Sequence, residues 1–388
     1  MIATLPVRPQ GFREITDDGG RTRAADSGRV ASVRTELLAA LFERMNAAGI
    51  PYCVLNGFEG YPEVIASDVD FMVGSGDLGR TSSLLLEVAR CSAAMLVQSI
   101  RHETGACYFV LAKQVGGEVA YLHPDCSTDY RRTGRLWLAA APVLERRKPY
   151  KAFFVPAVAD QFQYYLLKKV LKQQISGAQL HRLAALYTRC PEECSQRIRR
   201  VWSKKTTGAL VSALVRQDIG WTRSHLPALL TELRASAPVE SWWKRSAQHV
   251  REWQRWVERV MNPAGLSICL SGGNRQQRDE LATALERNLR PAFRRTRIVG
   301  EHEARGPRLA ASLWLAKVRS TLVIRHQAVA PKGWWTRDEI CFVVSDATMQ
   351  SSERATRVAL QWMAERLRRR LRLALPPGDT SMLTVRES

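Results

Sequence analysis

Two aspartates set inside an apolar run, Asp68-Val69-Asp70-Phe71-Met72-Val73, constrain this chain more than any other feature. Side chains alternate along a strand, so Asp68 and Asp70 share one face while Val69 and Phe71 enter the core. Two carboxylates on one face can converge on the same divalent cations, and hard magnesium ions favour such oxygen ligands. Upstream, Tyr52 to Leu55 reads as a second short strand, and the intervening loop carries Gly57, Gly60 and Pro62. Before both lies an amphipathic helix from Arg34 to Ala48, with Leu37, Leu38, Leu41, Phe42 and Met45 at helical spacing and Gly49 as its stop.

A chain of 388 residues exceeds one compact core, and its texture changes along its length. Residues 1–31 read as a polar, mobile leader. Residues 32–150 predict an α+β domain: a helix capped by Asp77, then strands at Met95 to Ile100, Cys107 to Leu111 and Val119 to Leu122. Residues 151–261 show long helical patterns, ending in a Trp-rich, charged helix from Trp242 to Val260. After the break at Asn262-Pro263-Ala264-Gly265, residues 262–388 open as strand, glycine turn and helix, the start of an α/β unit.

The 58 Lys+Arg against 37 Asp+Glu leave a formal charge of +21, so an anionic partner is expected. Nucleotide phosphates, nucleic acid and the anionic inner leaflet of a membrane share that sign. Nucleic acid ranks last, because the sequence holds no zinc-finger spacing, no glycine-aromatic RNA-binding signature and no helix-turn-helix pattern. No apolar run approaches a bilayer span or an export signal, and the eight cysteines lie singly, apart from Cys190 and Cys194. These features read as reduced thiols in a cytoplasmic protein, with peripheral contact at the inner membrane face left open. The basic C-terminal helix, with Val358, Trp362 and Leu367 towards one side, carries that alternative; its other reading is a domain-packing helix.

The glycine loop followed by Asp-x-Asp resembles the polymerase-β-like nucleotidyltransferase superfamily. The match covers Gly57, Asp68 and Asp70, with Ser67 immediately before the pair; it departs at Phe58, where the superfamily has a small residue. The resemblance implies a third carboxylate on a later strand, for which Asp125 is the choice and Asp129 the reserve. It implies a nucleoside triphosphate substrate, magnesium as cofactor, and Asp68, Asp70 and Asp125 as catalytic metal ligands. Arg131-Arg132 and the lysines Lys168, Lys169 and Lys172 are placed to meet phosphates, or else form a solvated helix face. His123 reads as a strand-end histidine.

Residues 265–281 resemble the opening of thymidylate-kinase-like phosphate-loop proteins. Gly272 matches the first glycine, but Gln277, Arg278 and Asp279 stand where the second glycine, the lysine and the hydroxyl belong. Asp346 followed by Ala347 departs again from that family's Asp-Arg pair. The C-terminal region therefore reads as a pseudokinase-like domain without kinase activity. This order of regions resembles a group of bacterial proteins encoded among genes for exopolysaccharide or capsule synthesis. Two functions follow: transfer of a nucleoside monophosphate to an acceptor, or a non-catalytic scaffold or regulator that holds polysaccharide-assembly proteins.

Overall fold

Leu37, Leu38, Leu41, Phe42 and Met45 are all buried, so the first helix is fixed by the sheet it covers. The computed structural model describes residues 22–132, 135–236, 242–300, 307–326, 339–344 and 348–374, and it is a mixed α/β fold. Helices α1 (Thr22–Ala47) and α2 (Leu78–Cys91) cover one face of a six-stranded sheet. Its strands are β1 (Tyr52–Val54), β2 (Val69–Val73), β3 (Met95–Glu103), β4 (Ala106–Val115), β5 (Glu118–Leu122) and β6 (Pro124–Ser127). They run in the order β1-β2-β6-β4-β3, with β5 also on β4. Only β2 and β6 pair in parallel within this sheet.

α1 begins at Thr22, inside the stretch expected to be a leader; residues 1–21 of that stretch lie outside the described residues. Val30 and Val33 pack on the same core as Leu37, which prolongs the helix towards the N-terminus. The expected boundary at residue 150 also moves. After the hairpin β7 (Tyr130–Arg132) and β8 (Arg135–Leu138) and the short α3 (Ala140–Glu145), β9 (Lys148–Tyr150) pairs with β10 (Phe153–Val155). Phe153 and Val155 return to the α1 core, so the first unit closes a few residues later than expected.

A run of helices follows: α4 (Val158–Lys172), α5 (Gly177–Arg189), α6 (Pro191–Arg199), α7 (Lys204–Arg216), α8 (Ile219–Ser236) and α9 (Trp242–Met261). Phe162, Leu166, Leu183, Leu214 and Leu229 form a core shared by α4, α5, α7 and α8. Asp160 of α4, fully buried, accepts from Arg146 at 3.0 and 2.9 Å and pairs with Arg197 of α6 at 2.8 Å. Two guanidinium groups thus compensate one buried carboxylate and tie the α+β unit to the helices.

The C-terminal region contributes β11 (Leu266–Gly272), α10 (Arg275–Leu289), a 3-10 turn (Arg290–Ala292), β12 (Arg295–Val299), α11 (Pro307–Val318), β13 (Thr321–His326), β14 (Glu339–Val344) and α12 (Thr348–Ala374). Its sheet is parallel throughout, in the order β12-β13-β11-β14. α10 and α12 lie between this sheet and the first one. Val97, Val110, Ala112 and Tyr121 of the first sheet share one core with Leu266, Ile268 and Ile324 of the second, through Leu285, Leu360 and Met363.

Tyr121 Oη also donates to the Asn288 carbonyl at 2.7 Å, and α11 covers the far face of the second sheet through Leu313 and Val323. The break at residue 262 therefore separates segments of the chain but not separate cores. Leu360→Ala, at a fully buried position of this middle layer, is expected to cost about 2–5 kcal/mol. Urea unfolding followed by far-UV circular dichroism and by tryptophan emission should show one shared transition; two separated transitions would contradict the common core.

Candidate active site

Parallel pairing of β2 with β6 sets Asp70 directly beside Asp125, and β4 places Tyr108 next in the same row. Paired residues point to the same side of a sheet, and Asp68 lies two residues before Asp70, so all four share the face opposite α1 and α2. On the other face Val69, Phe71, Cys107 and Cys126 enter the α1 core, as the alternation predicts.

Each carboxylate has a different neighbour. Asp70 Oδ2 accepts from Lys168 Nζ of α4 at 2.7 Å, and the same ammonium donates to Tyr164 Oη at 3.2 Å. Asp125 Oδ1 lies 2.9 Å from His102 Nε2. Asp68 Oδ1 accepts from Tyr108 Oη at 3.3 Å and faces His123 Nδ1 at 3.9 Å. Burial, with Asp125 and Asp70 close by, pushes the Asp68 carboxyl up from the ordinary 3.8 to about 6. Burial opposes a charged His102, but its bond to Asp125 outweighs this and raises the imidazole pKa. Burial also opposes the Lys168 ammonium, yet Tyr164 and Asp70 hold its pKa well above the ordinary value.

The remaining sequence candidates fall in different places. Gly57 has φ +73, a backbone state that favours glycine, in the loop after β1. The Phe58 ring is buried against Tyr150 and Phe153, so it turns into the core and away from the carboxylate face. Ser67 Oγ makes a long local contact, 3.5 Å, to the Asp68 carbonyl. Asp129, the reserve third carboxylate, accepts from the Ala140 amide at 2.9 Å at the start of α3 and faces Arg131 at 3.5 Å; Asp125 is the one beside Asp70. Arg132 lies on the β7–β8 hairpin, and its charge acts on Lys172 and Glu103. Burial and the neighbouring Lys168 lower both Lys169, to about 8, and Lys172; the Lys169 ammonium sits 4.9 Å over the Tyr165 ring.

Other residues at the site carried no sequence signal of their own. His102 and Tyr108 belong to strands whose pairing brings them to the carboxylates. Arg34 of α1 feels the Tyr61 hydroxyl and Asp68, and its buried Nε lacks a hydrogen-bond partner among the described residues. His123, expected at a strand end, stacks between Tyr108 and Tyr121, and its Nε2 lies 3.1 Å from the Pro291 carbonyl; burial and the Arg34 charge push it down to about 4. It is therefore a neutral ring whose Nε2–H donates to that carbonyl.

Three carboxylates on one face are a donor set suited to magnesium. Among the described residues no group of three or more His, Cys, Asp and Glu side chains is gathered as a metal shell, and Lys168 and His102 hold two of the three acids. The donor chemistry fits the ion, and the side-chain pairing competes with it.

The loop after β11 carries the residues of the second motif. α10 begins at Arg275, two residues after Gly273, and Asn274 and Gln277 form a reciprocal cap on its first turn. Arg278 donates to the Gly272 and Gly273 carbonyls, both at 2.9 Å. The residues from Arg275 onward are helix, and the Arg278 guanidinium is bound to the turn that precedes it. Asp346 and Ala347 lie outside the described residues. Comparison of the chain with protein-family models, curated proteins and solved structures finds no match.

The raised Asp68 pKa carries a pH dependence. Between the ordinary 3.8 and about 6 the folded chain binds more protons than the unfolded chain, so this group's contribution falls as pH rises through that window. Asp68→Asn is expected to raise the melting temperature at pH 8, with the gain shrinking towards pH 4. An equal gain at both values would remove the assigned cause.

Proposed function

We propose that the face formed by Asp68, Asp70 and Asp125 binds a nucleoside triphosphate and transfers its nucleoside monophosphate to an acceptor. The observation that carries this reading is the register that sets Asp70 beside Asp125 with Asp68 on the same face. Asp68, Asp70 and Asp125 would hold magnesium, which supplies charge neutralisation of the phosphates and polarises the reacting phosphorus when bound. Lys168, Lys169, Lys172 and Arg34 surround these acids with positive charge suited to phosphate oxygens. Asp125, the third carboxylate, is the candidate to take a proton from an acceptor hydroxyl.

The finer description is a polymerase-β-like nucleotidyltransferase unit, a helical middle and a degenerate thymidylate-kinase-like unit. Its support is the glycine loop, the paired aspartates and the strand–turn–helix at β11. The resemblance in domain order suggests an acceptor in bacterial exopolysaccharide or capsule synthesis. A scaffold or regulator of that assembly is the second reading, favoured by the Lys168–Asp70 and His102–Asp125 pairs and by the Arg278-bound turn after β11.

Isothermal calorimetry with each nucleoside triphosphate separates the two. Magnesium-dependent binding is expected, and Asp68→Asn/Asp70→Asn should weaken it by roughly 10-fold or more. Absence of binding for all the nucleotides would leave the scaffold reading. Arg278→Ala should leave the affinity unchanged; a loss there would move the site to the second sheet.

A further inference from the structure

Helix α9 meets the protein with its polar side. Glu252 accepts from Thr104 Oγ1 at 2.6 Å, Arg255 donates to the Arg101 carbonyl at 3.3 Å, and Arg259 donates to the Val318 carbonyl at 3.3 Å. Val250, Trp253, Trp256 and Met261 are between 54% and 71% exposed. A surface helix normally has the reverse arrangement, with its apolar stripe on the core. Neighbouring large apolar side chains turned outward mark an interaction surface.

We propose that this outward face of α9 docks on the headgroup region of an anionic lipid bilayer. Tryptophan suits that boundary, because its ring is apolar and its indole N–H remains hydrogen-bonded to polar groups. Apolar Val250 and Met261 beside the indoles fit the acyl boundary better than they fit stacked bases. Charge favours the same partner. Arg251 is exposed on this helix, and the chain as a whole carries a formal charge of +21. Such a charge attracts an anionic surface and repels a second copy.

At about 1.5 Å per residue the helix is long enough to lie along the interface as an amphipathic element. None of the helices among the described residues is long and apolar enough to cross a membrane. α12, the basic C-terminal helix, buries Leu367 and packs Trp362 against the middle core, leaving Val358 exposed. The contacts of Glu252 and Arg255 also attach α9 to the β3–β4 turn beside His102, so the docking face and the carboxylate site share one hairpin. This inference does not depend on nucleotidyl transfer.

Co-sedimentation of the full chain with vesicles tests it, using pure phosphatidylcholine and phosphatidylcholine mixed with phosphatidylglycerol. The chain is expected to bind the anionic vesicles, and Trp253→Ser/Trp256→Ser should weaken binding by roughly 10-fold with an unchanged melting temperature. Equal binding by the double variant, or no binding by the wild type, would overturn the proposal. So would light scattering that shows a dimer lost in the variant, or single-stranded oligonucleotide binding that depends on the same two tryptophans.

Discussion

The pairing of β2 with β6 concentrates negative charge, and much of the surrounding structure answers that concentration. Asp70 and Asp125 are neighbours across a parallel ladder, with Asp68 a short distance along the same face. Burial and the repulsion of its two neighbours together raise the Asp68 pKa. The compensation comes from separate parts of the chain: Lys168 from α4, His102 from β3 and the Tyr108 hydroxyl from β4. The helical region is thus coupled to the sheet by charge as well as by packing, and the Asp160 pairs with Arg146 and Arg197 reinforce that junction.

The layer formed by α10 and α12 joins the C-terminal region to the rest of the fold. It fills the space between two sheets, and its apolar residues belong to a core built from both. Reciprocal capping by Asn274 and Gln277, and the bonds from Arg278 to the loop carbonyls, stabilise the tight turn after β11. The contact of His123 with the Pro291 carbonyl then brings this region to the edge of the carboxylate site. Three segments of the chain meet there.

Much of the fold was legible because it follows from local periodicity. The α1 stripe, the alternation through Val69 and Phe71, the helical texture after Pro156 and the strand–turn–helix at β11 all depend on neighbours in sequence. The ends of these units were less legible. Val30 and Val33 extend α1 into a polar stretch, and Phe153 returns to the first core beyond the expected boundary, because both respond to a sheet assembled from distant residues.

The sequence by itself determined that Asp68 and Asp70 share a face, that Asp125 follows a strand, and that a strand, a glycine turn and a helix open the segment after residue 262. Tertiary structure decided where Asp125 and Asp129 lie: strand register puts one beside Asp70, and the other accepts from the Ala140 amide at the start of α3. It also decided which side of α9 and α12 meets the protein. An amphipathic pattern specifies that a helix has two unlike faces, but the surface available to each face is set by segments far away in the chain.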